Sequence, residues 1–381
     1  MQYDFDNPPE QRGMDSLKWA RYAGRDVLPM WVADMEFAAP TEVLDALRRR
    51  LDHGVLGYAQ PEETLNRTVC AALQRDHGWS VDPDWLLWLP GVVPGMAACC
   101  RIAGEPGDEV LTSPPIYHHF LRVAQPAGRS LLSVPLRRDE AGEYGFDMDA
   151  LRAAIGPRTR LLLLCNPHNP VGRVYRREEL RALLELCAEH DLLICSDEIH
   201  CDLVLDESAR HLPSALVLPE YAERMITLMA ASKTFNLAGM NCAFAVIPDA
   251  RLRRRVREVC QSVLPMPNAL GLVASGAAYR HGVPWRSALL DYLRGNRALI
   301  EAELGGVADI ELLPTQATYL AWMKVDGLGL DDALGFFERA GVGLSGGEQF
   351  GDGDYLRLNF ACSRSMLGEA LGRMRRALDA G

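Results

Sequence analysis

The sequence predicts an α/β fold: a large domain whose mostly parallel sheet is flanked by helices, joined to a smaller α+β domain. From about residue 40, segments with helical periodicity alternate with short runs that are apolar on both faces, as buried parallel strands are. This alternation ends in the last hundred residues, where helices and strands follow one another less regularly. The length of 381 residues fits two domains of roughly 150 residues each.

Two helices of the large domain are predicted from apolar residues spaced three and four positions apart. One spans 41–53, with Thr41 as its cap, and the other spans 178–190. The apolar stripes consist of Val43, Leu44, Leu47 and Leu51 in the first helix and of Leu180, Leu183, Leu184 and Cys187 in the second.

Three predicted strands of the large domain each end at a cluster of polar residues. The strands are Leu161–Cys165, Leu192–Cys195 and Ile226–Ala230, and the clusters that follow them are 166–169, 196–200 and 232–233. In an open parallel sheet the ligand binds beyond the carboxyl ends of the strands. The amide of Asn169, the carboxylate of Asp197 and the amine of Lys233 are therefore expected to lie near one another.

The small domain is predicted from elements near the C-terminus. They are helices at 285–304 and 365–378 and strands at 318–324 and 355–360. We therefore divide the chain into an N-terminal segment, residues 1–45, that joins the small domain, a large cofactor-binding domain, 46–280, and the small domain, 281–381.

Charge and composition exclude several classes of protein. The 51 acidic and 40 basic residues give a formal charge of −11, which argues against nucleic acid as a partner, because phosphate backbones bind basic surfaces. The arginine-rich segment 251–257 is interpreted as the solvent-exposed face of a helix. The longest uncharged stretch, 259–279, contains Pro265 and Pro267 and is not expected to cross a membrane.

The cysteines and the N-terminus predict the compartment. None of the ten cysteines forms a C-x-x-C pair, and several lie in apolar runs, so buried free thiols in a reducing environment are expected. The polar, acidic first ten residues do not have the pattern of a signal peptide. The sequence thus predicts a cytoplasmic protein.

Lys233 and Asp197 are the candidates for covalent chemistry. Lys233 follows a predicted buried strand, where its amine either extends to solvent or becomes nucleophilic because burial lowers its pKa. Asp197 either caps the following helix or, together with a Schiff-base lysine, contacts the ring nitrogen of pyridoxal phosphate. A carboxylate there keeps the nitrogen protonated, so that the ring can accept electrons from the α-carbon of the substrate.

A phosphate site is indicated by the segment 91–95, which precedes a predicted helix at 96–103. The exposed amides of such a segment, here those of Val92 and Val93, bind phosphate at a helix N-terminus, although an ordinary loop would have the same sequence. The hydroxyl of Ser232 would add a further donor.

Three side chains are candidates for contacts with the cofactor ring and the substrate. Asn169 would donate to the phenolic oxygen of the ring, or is a turn residue. Tyr117 would stack on the ring, or packs against neighbouring side chains. Arg357 lies between two leucines in a predicted strand. Its planar guanidinium would hold the α-carboxylate of an amino acid with two hydrogen bonds, unless the side chain faces solvent.

Other catalytic chemistries are not supported by the motifs. His118 and His119 are adjacent rather than one helical turn apart, and no H-E-x-x-H occurs, so no metal site is predicted. Neither a G-x-S-x-G motif nor a nucleotide-binding glycine motif occurs in a suitable context.

Three motifs together resemble those of a known superfamily. NPHNPVGRV (166–174), SDEIH (196–200) and SKTFNLAG (232–239) are similar in order and spacing to the motifs of the fold-type I pyridoxal-phosphate enzymes, the aspartate aminotransferase superfamily. More narrowly, the chain resembles the MalY/PatB group of cystathionine β-lyases. The segments that carry this second resemblance are LPMWVADMEF (28–37), GYAQPEE (57–63), GVVPGM (91–96), PPIYHHF (114–120) and SDEIH.

The resemblance covers residues 5–361 and implies a homodimer with two active sites at the subunit interface. It implies that Lys233 carries pyridoxal phosphate and that Arg357 holds the substrate carboxylate. Tyr58 would reach the active site of the neighbouring subunit and contact the phosphate and the substrate there. The other implied cofactor contacts are Asp197, Asn169, Tyr117, His200, Ser232, Val92 and Val93.

Two positions depart from the wider superfamily. His200 stands where aminotransferases commonly have a tyrosine, and the lyase group shares this histidine. Asn241 stands where many relatives have an arginine that binds phosphate. The phosphate is therefore expected to depend more on helix amides and hydroxyls.

The resemblance implies β-elimination at a carbon–sulfur bond. Lys233 would act as general base on the α-proton, and cystathionine or a related cysteine S-conjugate would yield a thiol, pyruvate and ammonia. The alternatives are transamination, which uses the same residues, and cleavage of sulfoxide conjugates in the biosynthesis of thiol metabolites. A regulatory binding protein is the alternative outside enzymes.

Overall fold

The computed structural model describes residues 3–140 and 142–380. The α-helices are α1 (Leu17–Ala20), α2 (Thr41–Asp52), α3 (Glu63–His77), α4 (Val92–Ile102), α5 (His118–Arg122), α6 (Met148–Ala154), α7 (Arg177–Glu189), α8 (Ser214–Val217), α9 (Ala250–Val263), α10 (Ala269–His281), α11 (Val283–Leu304), α12 (Ala333–Arg339) and α13 (Arg364–Ala380). The β-strands are β1 (Leu28–Pro29), β2 (Leu86–Leu89), β3 (Glu109–Thr112), β4 (Ser130–Ser133), β5 (Arg137–Arg138), β6 (Tyr144–Gly145), β7 (Thr159–Cys165), β8 (Leu193–Asp197), β9 (Met225–Met229), β10 (Ala243–Val246), β11 (Glu311–Leu312), β12 (Leu320–Lys324), β13 (Val342–Gly343), β14 (Ser345–Gly346) and β15 (Tyr355–Asn359).

A seven-stranded sheet in the order β2-β10-β9-β8-β7-β3-β4 forms the centre of the fold. The strands from β9 to β4 in this order are parallel, and β10 is antiparallel to both of its neighbours. The predicted α/β class with a mostly parallel sheet flanked by helices is confirmed. The three predicted strands that end in polar clusters are β7, β8 and β9, which are direct neighbours. Because the three strands are parallel, their carboxyl ends lie at the same edge of the sheet.

The helix α7 covers this sheet as its periodicity predicts. Its four stripe residues, Leu180, Leu183, Leu184 and Cys187, are all buried in the core. Fully burying a leucine side chain contributes about 1.5–3 kcal/mol relative to leaving it exposed, so the stripe fixes the helix on the sheet. In the sheet beneath this helix, all five residues of β8 are buried.

The helix α2 differs from the prediction in two respects. Pro40 rather than Thr41 is the residue before the first helical turn, because its fixed φ of −51° and ψ of 138° keep it extended while Thr41 is already helical. The stripe is also covered unevenly. Val43 is fully buried, but Leu51 at the far end is 49% exposed in the single chain.

A second, four-stranded sheet in the order β11-β12-β15-β14 stands beside the first. The ring of Trp322 in β12 stacks on Tyr355 of β15, with 5.0 Å between the ring centroids. All five residues of β15 are buried, including Arg357. The predicted helices and strands of this region are confirmed as α11, β12, β15 and α13, with ends that differ by one or two residues.

The N-terminal residues join this second region. β1 pairs in parallel with β13, and the buried amine of Lys18 contacts Glu36 at 2.7 Å. The boundaries of the three predicted parts of the chain stay a prediction. In the part of the chain that the structure describes, no helix has the length and hydrophobicity of a membrane span.

Candidate active site

A cavity of about 400 Å³ lies beyond the carboxyl ends of β7 and β8, between the large sheet and the second sheet. Every site residue that the sequence predicted, except Tyr58, lines this cavity. The predicted residues among those that line it are Val92, Val93, Tyr117, Asn169, Asp197, His200, Ser232, Lys233 and Arg357. The structure thus brings together polar groups that lie up to 265 positions apart in the sequence, between Val92 and Arg357.

Lys233 lies four residues after the end of β9 and is half-buried. Its Nζ donates to the carbonyl oxygen of Ala33 at 2.6 Å. Burial lowers the pKa of Lys233 to about 8, against the opposing effect of the nearby carboxylates of Asp34 and Asp197. A larger share of the amine is therefore neutral, and able to act as a nucleophile, than in an exposed lysine.

The chain contains only three lysines, and the other two are engaged elsewhere. Lys18 is buried against Glu36, and Lys324 contacts Asp326 at 2.9 Å. Lys233 is accordingly the one lysine that can form a covalent bond inside the cavity.

Asp197 is the last residue of β8 and is buried. Its Oδ1 accepts a hydrogen bond from the backbone N–H of Ile199 at 3.1 Å. Among the described residues it has no ion-pair partner within 4.0 Å. Burial raises the pKa of this carboxyl to about 7, although the N–H of Ile199 and the charge of Lys233 act in the opposite direction. A cationic N–H group in the cavity would therefore stabilise its ionised form strongly.

The loop that carries Asp197 is held in place by Glu198, a residue that the sequence reasoning missed. Its buried carboxylate accepts hydrogen bonds from His211 at 2.9 Å, from the N–H of Ser214 at 2.9 Å and from Ser196 at 2.8 Å. These bonds satisfy the buried charge and fix the turn after β8. No sequence signal distinguishes Glu198 as structural, because its partners lie up to 16 positions away.

Arg357 of β15 is 4% exposed and points its fork toward the cavity. Nη1 donates to Oδ1 of Asn169 at 3.0 Å, and Nη2 donates to the carbonyl oxygen of Trp31 at 2.9 Å. The guanidinium carbon lies 4.5 Å from the ring centroid of Phe350. Burial lowers the pKa of Arg357 to about 10. No carboxylate in the described residues pairs with it, so a substrate carboxylate would supply the missing anion.

The first turn of α4 presents backbone N–H groups that could bind an anion. Gly91 precedes the helix without a side-chain cap, and Pro94 has no N–H. The N–H of Gly95 is used by the carbonyl of Gly91 at 3.3 Å. The N–H groups of Val92 and Val93 therefore face the cavity side without helical partners. The helix begins at Val92, so the prediction that 91–95 is a loop before a helix at 96 was wrong by four residues. The free N–H groups of Val92 and Val93 therefore belong to the first turn of the helix and not to a loop before it.

Tyr117 and His200 form two walls of the cavity. Tyr117 precedes α5, and its backbone N–H donates to the carbonyl oxygen of Asn169 at 3.0 Å. His200 is buried, with its ring 6.3 Å from that of Tyr319. Burial lowers the pKa of His200 to about 3, so the imidazole is neutral at pH 7. Asn241, at a φ of +46°, lines the same cavity as Ser232, a residue that the sequence predicts to bind the phosphate.

Tyr58 lies outside the cavity of its own chain. Its side chain is 99% exposed. The preceding apolar side chains are exposed as well: Val55 by 61%, Leu56 by 62% and Leu51 by 49%. A contact of Tyr58 with the active site of a second subunit stays a prediction.

The segment Trp31–Asp34 contacts both functional cations through its backbone. The carbonyl oxygen of Ala33 accepts hydrogen bonds from Lys233 and, at 3.0 Å, from the hydroxyl of Tyr319. The carbonyl oxygen of Trp31 accepts one from Arg357. Sequence reasoning assigned no role to these residues, because contacts made by carbonyl oxygens leave no pattern in the side chains.

Comparison with known proteins agrees with this geometry. Residues 25–374 match the family described as aminotransferase class I and II. The chain belongs to this family. It is also 37% identical, over 99% of its length and 100% of the relative, to cystathionine beta-lyase PatB of Bacillus subtilis. The resemblance to the fold-type I superfamily and to the MalY/PatB group is thereby confirmed.

Two solved structures match over the whole of this chain. Cystalysin from Treponema denticola, whose structure contains a pyridoxal 5′-phosphate cofactor, has a TM-score of 0.95 with 31% identity and full coverage of both chains. The crystal structure of OvoB has a TM-score of 0.96 with 42% identity and full coverage of both chains.

Proposed function

We propose that this protein is a pyridoxal-phosphate-dependent carbon–sulfur β-lyase that acts on cystathionine or a related cysteine S-conjugate. The expectations of this reaction class and of this cofactor are confirmed by relatives that match the chain from end to end. The observation that carries the proposal is the single cavity in which the lysine, the buried carboxylate and the buried arginine converge.

The residues of the cavity fit pyridoxal phosphate. The amine of Lys233 would bind the aldehyde, and the N–H groups of Val92 and Val93, with Ser232 and Asn241, would bind the phosphate. Asp197, which lacks a cationic partner, would hold the ring nitrogen. When bound, the cofactor accepts the electrons released as the Cα–H bond of the substrate breaks.

The remaining steps depend on the chain's own side chains. Arg357 would bind the substrate carboxylate with its fork, which places the α-hydrogen near Lys233. The neutral amine of Lys233 would accept the α-proton as general base. The C–S bond at the β-carbon then breaks, the sulfur takes up a proton to leave as thiol, and reaction of the remainder with water gives pyruvate and ammonia.

We further infer that the protein is a cytoplasmic homodimer. The exposed apolar side chains beside Tyr58 support an interface there, because a contiguous apolar patch on a folded chain marks a contact surface. The patch consists of Leu51, Val55, Leu56 and Tyr58. All ten cysteines are free thiols, which supports a reducing compartment.

Two measurements test the proposal. After reduction of the protein–cofactor adduct with borohydride, peptide mapping should find the cofactor on Lys233 and on neither Lys18 nor Lys324. With untreated protein, cystathionine should yield pyruvate and homocysteine in equal amounts without any added keto acid. An adduct on another lysine would refute the assignment of Lys233. Turnover that requires a keto acid and releases no thiol would identify a transaminase instead.

A further inference from the structure

His118 occupies the cavity wall next to the cofactor-facing residues without a role in the proposed reaction. It is the first residue of α5, and its ring lies 4.6 Å from that of Tyr117. Within the described residues neither ring nitrogen forms a hydrogen bond, and Nδ1 is enclosed by protein. Burial, with the nearby charges of His119, Arg122 and Arg357, lowers the pKa of His118 to about 4, so the imidazole is neutral at pH 7.

Gln349 lines the same cavity from the turn that precedes β15. This turn is tied to the start of α5, because the backbone N–H of Ile116 donates to the carbonyl oxygen of Phe350 at 2.9 Å. Phe350 also packs against the guanidinium of Arg357. The side-chain amide of Gln349 forms no hydrogen bond within the described residues. The cavity therefore contains a second uncharged hydrogen-bonding group that no other residue uses.

The position of Arg357 determines where a substrate side chain extends. A substrate whose carboxylate is bound by Arg357 and whose α-carbon faces Lys233 must direct its β-substituent to the rest of the cavity wall. His118 and Gln349 are polar side chains of that wall that neither bind another protein group nor belong to the proposed cofactor contacts. Among the described residues, Asp197 is the only carboxylate that lines the cavity. The arginines whose charges act on His118, Arg122 and Arg357, are cationic, which favours a neutral or anionic group of the substituent over a cationic one at this position.

We propose that His118 and Gln349 bind the sulfur substituent of the substrate and select cysteine S-conjugates whose substituent carries an uncharged or anionic hydrogen-bonding group. This inference rests on the proposed β-lyase function and specifies its substrate class. Both side chains are half-buried, so an apolar substituent would cover them without giving them partners. A polar group that is buried without a partner costs free energy.

The test compares two conjugates of similar shape, S-carbamoylmethyl-cysteine and S-isobutyl-cysteine. For each we would measure kcat/KM from thiol and pyruvate release, with wild-type protein and the variants His118→Leu, Gln349→Met and His119→Leu. His119 is the matched control, because it is the adjacent histidine but does not line the cavity. For each protein we compare the ratio of the two kcat/KM values. The two thiols differ in reactivity, but this difference is the same for every variant and cancels when the ratios are compared.

We expect His118→Leu and Gln349→Met each to lower the carbamoylmethyl-to-isobutyl ratio by about tenfold, the effect of one lost hydrogen bond to the substrate. His119→Leu should leave the ratio unchanged, and all variants should keep the cofactor absorbance of the wild type. An unchanged ratio in both cavity variants, with thiol still released, would overturn the subsite and leave the lyase function intact. No thiol or pyruvate from either conjugate or from cystathionine with wild-type protein would refute the lyase function itself.

Discussion

Arg357 and Asn169 are joined by a buried hydrogen bond of 3.0 Å between Nη1 and Oδ1, although they lie 188 positions apart. The bond connects β15 of the second sheet with the polar loop after β7 of the large sheet. The residue proposed to bind the substrate carboxylate therefore orients the residue proposed to contact the cofactor ring. A change at either position is expected to affect both functions.

We predict that Arg357→Lys raises KM for cystathionine by about tenfold to a hundredfold. Lysine keeps the charge but cannot donate two parallel hydrogen bonds to a carboxylate while also donating to Asn169 and Trp31. Steady-state kinetics of thiol release, at equal cofactor content, would measure the effect.

A substrate without a carboxylate provides the control for this prediction. The corresponding S-conjugate of cysteamine should be a poor substrate for both proteins, and the substitution should change its kcat/KM little. An equal loss for both substrates would show that Arg357 stabilises the fold rather than the carboxylate.

The central sheet and the grouping of the catalytic candidates could be predicted from the sequence. Runs such as Leu161–Cys165 are apolar on both faces, and this pattern occurs where a strand is covered on both sides. Because parallel neighbours end on the same side, the polar residues after each run had to meet. Asn169, Asp197 and Lys233 follow from this rule, and the structure places all three in one cavity.

What could not be predicted depends on contacts between distant segments. The carbonyl oxygens of Trp31 and Ala33 bind Arg357 and Lys233, but a carbonyl group is present in every residue and leaves no pattern. The start of α4 was misplaced because Pro94 and Gly95 are rare inside helices. Proline is tolerated there because the first-turn N–H groups have no helical partner.

We predict that uptake of pyridoxal phosphate by the cofactor-stripped protein becomes faster as the pH rises to about 8 and then levels off. Only the neutral amine attacks an aldehyde, and burial lowers the pKa of Lys233 to about 8. Below this pH the rate should fall about tenfold per unit, because the protonated fraction dominates. Stopped-flow measurement of the visible absorbance between pH 6 and 10 would give the profile.

The aldehyde titrates as well, so the same profile must be recorded for free pyridoxal phosphate with Nα-acetyl-lysine. The ratio of the two rates removes the contribution of the aldehyde. A protein rate that continues to rise to pH 10, as that of an exposed lysine would, contradicts a lowered pKa of Lys233.

We predict that Asp197→Asn lowers kcat for thiol release by about 100- to 1000-fold, the usual effect of removing one preorganised electrostatic contact. The amide cannot keep the ring nitrogen of the cofactor protonated, so the electrons of the Cα–H bond are accepted less readily. Substitution of the exposed Asp191 by asparagine is the control and should have no effect.

A cofactor methylated on the ring nitrogen separates this role from a structural one. Its permanent positive charge should restore a large part of the activity of Asp197→Asn. If the variant is inactive with both cofactors while its circular dichroism is unchanged, the contact between Asp197 and the ring nitrogen is refuted.

We predict that two inactive variants, Lys233→Ala and Tyr58→Ala, regain activity when they are mixed under conditions that exchange subunits. Tyr58 is 99% exposed in the single chain and does not line its own cavity, so we expect it to act in the site of a partner. In a mixed dimer, the site with Lys233 then receives Tyr58 from the other subunit. Its second site carries both substitutions and stays inactive.

Random exchange of equal amounts makes half of the dimers mixed, each with one intact site, so the activity should approach about one quarter of the wild-type value per chain. The variant Leu56→Asp, which places a charge in the exposed apolar patch, should abolish this recovery and shift the protein to monomers in analytical ultracentrifugation. If the mixture instead stays as inactive as its components after proven exchange, Tyr58 does not act across the interface. If Tyr58 acted within its own chain, each site of the mixed dimer would contain one substitution and no activity would return. Recovery of activity therefore shows that Tyr58 acts in the site of the partner subunit.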